Sequence, residues 1–376
     1  MTPNPSEVVL LDTLPTADGR SFGVATLNTP AALNALSLAM VQRLAPALQH
    51  WASDPKVVGV ILQGSGEKAF CAGGDLRGLY QTLRDCGSGA NPHAEAFFAQ
   101  EYALDYAIHT YPKPLLCWGQ GIVMGGGIGL MAGASHRVVT SSSKLAMPEI
   151  SIGLYPDVGG SWILRRMPGR VGLFLALTGA HLNAADALFC GLADFHVGPH
   201  TRDELQTSIA ASHWSNDAAQ NRSQLSRLLT SLAEHARDSL PVSHVRTHWD
   251  SIQALMAGED LLDIAARLRT LCSGDTWLDQ AASSFNHGSP TSAALSFALW
   301  QRVRHMSLAE VFRLEYSVSL GCCAHPDLAE GIRALLIDKD RSPRWTPATL
   351  EDITPPWIEA HFQPRFHGPH PLETLR

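Results

Sequence analysis

The sequence predicts an α/β fold that ends in a helical region. Apolar runs of strand length, such as VVGVILQG at 57–64, are bounded by glycine and are typical of strands covered on both faces. These runs alternate along the chain with segments of helical periodicity. Beyond residue 200, Ala, Leu, Ser and Arg dominate with helical spacing. We therefore expect a core at 1–200 and a mainly helical region at 201–376.

The first elements should form an antiparallel hairpin. VVLL at 8–11 and SFGVATL at 21–27 are strand-like. Asp18 and Gly19 lie in the segment between them, and this dipeptide is a common hairpin turn. Two adjacent strands joined in this way are expected to open the sheet.

The next elements alternate between helix and strand. Ser37 can cap a helix, and Pro46 should kink or end it. The apolar residues of that helix follow helical spacing: Leu38, Val41, Leu44 and Leu48. After the strand at 57–64, the sequence predicts a loop at 86–92, a helix at 93–111, a strand at 114–118, a helix near 126–133, a strand at 136–140 and a helix that begins near Asn183.

Composition excludes several classes of function. With 28 basic and 35 acidic residues the net charge is −7, so we expect no nucleic-acid partner. The apolar runs stop well short of the ~20 residues of a membrane helix, so we expect no membrane partner. Seven scattered cysteines and no targeting signal predict reduced thiols, a cytoplasmic location and no metal. The histidines at 361–376 lack ligand spacing, which favours a loose tail.

Two glycine-rich turns each follow a predicted strand. They are AFCAGGDL at 69–76 and GIVMGGGIGLMAG at 121–133. Glycine lets a ligand approach the backbone, and two such turns that face one point would form an oxyanion hole. The alternative is two ordinary tight turns. The second turn also matches the dinucleotide pattern G-x-G-x-x-A from Gly127, with Glu149 about 20 residues later, and an NAD-dependent oxidoreductase is the corresponding alternative.

Acidic residues supply the other candidate chemistry. Glu149 and Asp157 lie eight residues apart in MPEISIGLYPDVGG (147–160), where they could face one pocket. Alternatively, Glu149 points outward from an edge strand and Asp157 caps the following helix. Glu101 falls on an apolar helical stripe, which predicts a buried carboxyl with a raised pKa or a buried ion pair with an arginine. Its stripe neighbours are Phe97, Leu104 and Ile108.

The motifs G-x-S-x-G, Walker A and H-E-x-x-H are missing from the sequence. Four other segments stand out: LNTPAALNAL (27–36), GEKAFCAGGDL (66–76), GIVMGGGIGL (121–130) and LAMPEISIGLYPDVGG (145–160). Together they resemble the crotonase (enoyl-CoA hydratase/isomerase) superfamily. Within the superfamily, further residues look more specifically like those of 3-hydroxyisobutyryl-CoA hydrolases: AMPE (146–149) followed by GLYPDVGG (153–160), then FLALTG (174–179), SPTS (289–292) and EGIRALLIDKDRSPRW (330–345). The resemblance implies a spiral of ββα units with a helical C-terminal region.

The resemblance also implies roles for individual residues. The backbone N–H groups of Gly74 and Gly126 would form the oxyanion hole. Glu149 matches the catalytic glutamate, Asp157 an additional aspartate of the hydrolases, and Glu101 a glutamate near the substrate. The residues that match the adenine end of the CoA site are Ala72, Asp75, Leu76 and Arg77.

One departure separates this chain from the hydratases. Their GGGxE pattern carries a second glutamate where this chain has Gly129. The resemblance therefore implies hydrolysis of a short, branched 3-hydroxyacyl-CoA in valine catabolism. The alternatives are an enoyl-CoA hydratase or isomerase that uses Glu149 alone and a non-catalytic acyl-CoA-binding protein. We expect no cofactor, since CoA is part of the substrate, and assembly into a homo-oligomer is a further expectation.

Overall fold

The structure is a computed structural model that describes residues 7–198 and 200–376. The chain forms two compact units, each built from three separate segments. The first unit, here called the sheet unit, comprises Met1–Gly74, Leu104–Leu145 and Leu182–Arg246. The second, here called the helical unit, comprises Asp75–Ala103, Ala146–His181 and Thr247–Arg376. The division into domains at residue 200 stays a prediction. The two units are defined by contacts within the structure, and each takes segments from both sides of that residue.

The strands of the described residues form two sheets. They are β1 (Val9–Pro15), β2 (Ser21–Leu27), β3 (Val57–Gly64), β4 (Ala69–Cys71), β5 (Leu115–Gly119), β6 (Ile122–Met124), β7 (His136–Thr140), β8 (Lys144–Ala146) and β9 (Phe195–Val197). The larger sheet has the order β1-β2-β3-β5-β7-β9 and the smaller one β4-β6-β8. Only the β1–β2 pair of the larger sheet is antiparallel in the described residues.

The predicted hairpin and the buried strand are both confirmed. β1 and β2 pair with Pro15 opposite Ser21, and Gly19 in the turn has a φ of +78°. β3 covers the predicted range 57–64 and is buried at almost every position. Helical connections place β3 parallel to its neighbours, which requires an apolar side chain on both faces of the strand.

Helices account for most of the remaining elements. They are α1 (Leu38–Ser53), α2 (Leu76–Cys86), α3 (Pro92–His109), α4 (Gly126–Ala132), α5 (Gly160–Arg165), α6 (Val171–Thr178), α7 (Ala184–Phe189), α8 (Arg202–Ala211), α9 (Ala218–Ala236), α10 (His244–Thr247), α11 (Trp249–Leu255), α12 (Leu261–Arg269), α13 (Thr276–His287), α14 (Pro290–Arg302), α15 (Leu308–Ala324), α16 (Pro326–Ile332) and α17 (Pro355–Phe362). Among the described residues from 202 onward, every regular element is helical, as predicted. None of the described helices has the length and apolarity that crossing a bilayer requires.

The helix α1 runs through Pro46, so the proline does not end the helix, and the kink that was the other expectation stays a prediction. Ser37 caps the helix as predicted, and its Oγ accepts the N–H of Met40 at 3.3 Å. Proline cannot supply the N–H that residue 42 would accept in a regular helix. Both Gln42 and Pro46 are exposed, so water can satisfy the carbonyl that the proline leaves unpaired.

Apolar side chains hold each unit together. In the sheet unit, one face of the larger sheet packs against α8 and α9, with the ring of Phe22 4.6 Å from that of Trp214. In the helical unit, α6 is buried at every position, and Phe174 on it lies 5.5 Å from Trp277 of α13. A helix that is apolar on all sides must lie inside such a core.

The C-terminal residues pack against α15, so the expectation of a loose tail is wrong. The side chain of Leu372 is 2% exposed. His370 Nε2 lies 3.1 Å from the carbonyl oxygen of Arg313, and the rings of Phe366 and His370 both contact Tyr316. These contacts join residues about 50 positions apart, which the composition of the tail could not indicate.

Candidate active site

The two glycine-rich turns lie side by side in the sheet unit. β4 and β6 pair in parallel with Ala69 opposite Ile122, so both strands end at the same edge of the smaller sheet. The turns that follow these strands meet there, as expected for the ends of parallel strands. A Cβ atom placed on Gly73 would lie 3.4 Å from the carbonyl oxygen of Met124.

Two of these glycines are required by the geometry. Gly73 has a φ of +101°, a conformation that residues with a side chain rarely adopt. A Cβ atom on Gly127 would lie only 2.3 Å from the carbonyl oxygen of Cys71. The close contact with β4 explains why residue 127 is a glycine, and this explanation does not require the dinucleotide-binding pattern. The two turns can therefore pack closely only because these residues are glycines.

Backbone N–H groups at these turns are the candidate oxyanion donors. Gly126 is the first residue of α4, and the first N–H groups of a helix have no acceptor within the helix. The other turn is held by Leu36, whose N–H donates to the carbonyl of Gly73 at 2.8 Å. Gly129, at the position of the second hydratase glutamate, is buried on α4 and carries no acid.

Glu149 and Asp157 are both buried in the helical unit. Glu149 begins a 3-10 turn, Glu149–Ile152, that ends at Gly153 with a φ of +77°. Each of the two carboxyl residues is 5% exposed. The alternative in which Glu149 points outward and Asp157 caps a helix is therefore wrong. The helix α5 begins after Gly159 without a side-chain cap.

Burial sets the acidity of the pair. It raises the pKa of Glu149 well above 4.5, and the negative charge of Asp157 raises that pKa further. Burial also raises the pKa of Asp157 to about 6, although a hydrogen bond from Tyr102 acts in the opposite direction. The Oε2 atom of Glu149 is buried without a hydrogen-bond partner among the described residues. Such a carboxyl group is suited to take a proton near neutral pH.

Tyr102 is a component of the site that the sequence did not reveal. Its hydroxyl donates a hydrogen bond to Asp157 Oδ2 at 2.7 Å. Burial and the charge of Asp157 raise the pKa of Tyr102 well above 10, so the phenol keeps its proton and acts as a donor. The neighbouring Glu101 is 2% exposed, as its apolar stripe predicts. The one sequence signal for Tyr102 was its position directly after Glu101, a glutamate that was expected to be buried.

The helix α15 extends this polar cluster. Ser319 Oγ lies 2.7 Å from the hydroxyl of Tyr102 and 2.9 Å from that of Tyr155. Tyr155 donates to the carbonyl oxygen of Glu315 at 2.7 Å. The carboxylate of Glu315 in turn accepts N–H groups from the segment after Asp157. These residues lie on a largely buried helix, where they look like ordinary core positions in the sequence.

The residues expected at the adenine end divide between the two units. In the sheet unit, Ala72 donates its N–H to the carbonyl of Leu33 at 3.1 Å. In the helical unit, Asp75 caps α2 and accepts the N–H of Gly78 at 3.4 Å. Arg77 is exposed on the first turn of α2, and Leu76 begins that helix. Asp75 thus has a structural task as a helix cap.

Metal chemistry finds no support in the described residues. No group of three or more His, Cys, Asp or Glu side chains among them is arranged to hold a metal ion. All seven cysteines of the chain are free thiols.

Comparison with known proteins assigns the chain to a family. The profile of a family described as enoyl-CoA hydratase/isomerase matches residues 22–362. The chain therefore belongs to the enoyl-CoA hydratase/isomerase family, and its fold is the crotonase fold. Within this family the chain is similar to 3-hydroxyisobutyryl-CoA hydrolases, as its motifs predicted.

The similarity extends over nearly the whole chain. The mitochondrial 3-hydroxyisobutyryl-CoA hydrolase of Gallus gallus is 37% identical over 343 residues, which are 91% of this chain and 86% of the relative. Its counterpart from Danio rerio is 38% identical over 341 residues, or 90% and 86% of the two chains. A crystal structure titled carnitinyl-CoA dehydratase, from Mycobacterium thermoresistibile, is 35% identical with a TM-score of 0.83 and covers 96% of this chain and 97% of its own.

The expectation of a cytoplasmic location is wrong by this comparison, because these hydrolases are named as mitochondrial proteins. Free thiols indicate a reducing environment, and the cytosol is only one such environment. The absence of zinc-type spacing carries no information about the compartment.

Proposed function

We propose that the protein hydrolyses the thioester of 3-hydroxyisobutyryl-CoA to 3-hydroxyisobutyrate and CoA, a step of valine catabolism. One observation carries the proposal: the buried pair of carboxyl groups, Glu149 and Asp157, occurs together with Gly129 in place of the second hydratase glutamate. Hydration needs two acids that act on the water and the double bond. Hydrolysis needs one base and a donor site for the carbonyl oxygen. The names of the similar hydrolases support the same reaction.

The oxyanion hole in this proposal consists of the N–H groups of Gly74 and Gly126. Water attack on the thioester carbon places negative charge on the carbonyl oxygen. Donors that are fixed before the reaction stabilise this charge without reorganisation, by about 2.7–4 kcal/mol for one donor. The close packing of the two turns supports such fixed donors, because Gly127 leaves no room for the turns to move together further.

Glu149 is the proposed base. It takes a proton from water as the water oxygen bonds to the carbonyl carbon, and the C–S bond then breaks with the proton passing to the CoA sulfur. Alternatively, Glu149 attacks the carbonyl carbon itself, CoA leaves as the thiol, and water hydrolyses the resulting anhydride. Both routes consume one water molecule and yield one acid and one thiol. The raised pKa of Glu149 suits either role near neutral pH.

Asp157 supplies specificity in this scheme. We assign it the hydrogen bond from the 3-hydroxyl group of the substrate. A substrate that lacks the hydroxyl would leave a buried carboxylate without that partner, at a cost in binding. Glu101 would help to position substrate or water. The residues assigned to the adenine end are Ala72, Asp75, Leu76 and Arg77, and Arg77 is suited to a phosphate.

The test is to mix the purified protein with a panel of acyl-CoA thioesters and a thiol-reactive dye. We expect thiol release from 3-hydroxyisobutyryl-CoA, with slower release from isobutyryl-CoA. Loss of the enoyl absorbance from a conjugated enoyl-CoA without thiol release would instead identify a hydratase or isomerase. Binding of CoA with neither signal would identify a non-catalytic protein. After a single turnover in H₂¹⁸O, label in the carboxyl group of Glu149 identifies the anhydride route with water attack on the glutamyl carbon, whereas label in the product alone is common to both routes.

A further inference from the structure

A chain of buried hydroxyl groups connects Asp157 to the helix α15. The hydroxyl of Tyr102 lies between Asp157 Oδ2 and Ser319 Oγ, at 2.7 Å from each. Ser319 Oγ also contacts the hydroxyl of Tyr155 at 2.9 Å. Tyr102 and Ser319 are each fully buried, so these contacts do not compete with water.

The protons of the hydroxyl groups of Tyr102, Tyr155 and Ser319 can be assigned by counting. Each hydroxyl group has one proton to donate. Tyr155 donates its proton to the carbonyl oxygen of Glu315, which is an acceptor only. Tyr102 donates to the carboxylate of Asp157. Ser319 has one proton for two phenol oxygens, and the shorter contact, 2.7 Å to Tyr102, assigns its hydrogen bond to Tyr102.

Acidic groups surround Asp157. Among those whose charge interacts with it are Glu149, Glu315, Tyr102, Tyr155, Cys322 and Cys323. The carboxyl groups among them repel an ionised Asp157, and the phenols and thiols stay neutral because burial raises the pKa of each. The bond from Tyr102 is the side-chain interaction of Asp157 that favours its ionised form.

We infer that Tyr102 and Ser319 are positioning residues of the active site: Tyr102 orients the carboxylate of Asp157 and keeps it ionised, and Ser319 holds Tyr102 in place. The inference rests on the proposed function, in which Asp157 receives the 3-hydroxyl group of the substrate. The bond from Tyr102 uses Oδ2, so the inference assigns Oδ1 to the 3-hydroxyl group. Discrimination for the hydroxyl group then depends on two residues that do not touch the substrate.

The first test is Tyr102→Phe, which keeps the ring and removes the hydroxyl. Without its donor, Asp157 becomes harder to ionise, so the acidic limb of the substrate preference, the ratio of kcat/KM for 3-hydroxyisobutyryl-CoA to that for isobutyryl-CoA, should move to higher pH by about one unit. The preference for this substrate over isobutyryl-CoA should fall about tenfold. A merely structural role for Tyr102 would lower both rates equally and leave the pH profile in place.

The second test is a double-mutant cycle with Ser319→Ala. Ser319→Ala alone should shift the acidic limb in the same direction by a smaller amount. In the Tyr102→Phe background it should add no further shift, because Ser319 acts through Tyr102. Tyr316→Phe is the control: it removes a buried hydroxyl from the same helix α15, but one that contacts the carbonyl oxygen of Glu95 at 3.5 Å. It should keep the wild-type pH profile and substrate preference.

The outcomes distinguish the inference from the function on which it rests. A wild-type protein that releases no CoA from either thioester refutes the proposed function before any variant is measured. An active wild type with a Tyr102→Phe variant of unchanged pH profile and preference refutes the inference alone. Independent effects of Tyr102→Phe and Ser319→Ala overturn the role of Ser319. Melting temperatures of all variants identify a loss of activity that comes from unfolding.

Discussion

The carboxylate of Glu315 on α15 accepts the main-chain N–H of Gly159 at 2.7 Å and that of Ser161 at 3.1 Å. The segment that follows Asp157 is thereby fixed to a helix more than 150 residues later in the chain. Burial raises the pKa of Glu315 to about 8, although the hydrogen bonds from Ser161 and Gly159 act in the opposite direction. Glu315 is a stabilising residue close to the proposed chemistry rather than part of it.

Glu315→Ala should lower the free energy of unfolding by about 3–5 kcal/mol, because it leaves two buried N–H groups unpaired and opens a cavity. Urea denaturation measures the change. Glu310→Ala removes an exposed carboxylate from the first turn of the same helix and should cost about 1 kcal/mol, the usual value for part of a capping box. Equal losses in the two variants would contradict the role of Glu315.

Glu149→Gln should lower the rate of CoA release by about 10²–10⁴-fold, the usual contribution of a general base. The amide has nearly the same shape as the carboxyl group, so the dissociation constant of the substrate should change little. Stopped-flow thiol detection and calorimetric binding measure the two quantities. Glu204→Gln replaces an exposed carboxylate on α8 and serves as the control. Undiminished turnover in Glu149→Gln would exclude the proposed base.

Asp157→Asn should affect 3-hydroxyacyl substrates more than plain acyl substrates. The amide is a weaker partner for the 3-hydroxyl, so kcat/KM for 3-hydroxyisobutyryl-CoA should fall about 100-fold. The value for isobutyryl-CoA should fall less than about tenfold, since that substrate has no hydroxyl to lose. Parallel kinetics on the two thioesters measure the ratio. An unchanged ratio would argue against the hydroxyl contact.

Gly127→Ala should disturb both stability and catalysis. The added methyl group meets the carbonyl oxygen of Cys71, so the two turns must separate. We expect a loss of about 1–3 kcal/mol in the free energy of unfolding and, from misplaced donors, up to about 100-fold in kcat. Gly274→Ala is the control, with a φ of +76° but no atom within 4 Å. It should cost about 1 kcal/mol and leave kcat unchanged.

His361 should make the fold sensitive to acid. It is 1% exposed and stacks on His325 at 3.7 Å between ring centroids. Burial, and then the neighbouring His325, lower its pKa from 6.5 to about 4. Between these values the unfolded chain binds a proton that the folded protein does not. The stability that depends on neutral His361 is therefore fully present above pH 6.5. As the pH falls to 4, up to about 3 kcal/mol of the free energy of unfolding is lost.

The variant His361→Gln tests this dependence. Its amide can still donate to the carbonyl oxygen of Trp357, which accepts from His361 Nδ1 at 2.9 Å. Urea denaturation at several pH values between 4 and 7 should show a smaller loss of stability than in the wild type. His367→Gln replaces an exposed histidine of the same region and should keep the wild-type slope. An unaltered slope in His361→Gln would mean that other groups cause the acid sensitivity.

Local patterns allowed the sequence to predict a large part of this molecule. The strand at 57–64 and the cap Ser37 are visible within short windows, because burial and helix capping act between near neighbours. The two glycine turns are also local signals, and the parallel pairing of short strands explains why they meet. Burial of Glu101 followed from helical spacing alone.

The rest depends on contacts between distant residues. Tyr102 lies 55 residues before Asp157 and 217 before Ser319, so no short window contains these partners. Whether α1 continues through Pro46 depended on the exposure of the helix face that carries this proline. The packing of His370 depended on α15, a partner whose position a single sequence does not reveal.

The contacts of the final residues with α15 have a practical consequence for recombinant work. Arg313 on this helix donates to the carbonyl oxygen of Leu375 at 3.0 Å, close to the last residue, Arg376. The same helix carries Glu315 and Ser319. Removal of the last ten residues to obtain crystals would expose one side of that helix. An affinity tag fused directly after Arg376 would lie close to the same helix. A cleavable tag on the opposite terminus is the safer choice for assays of this enzyme.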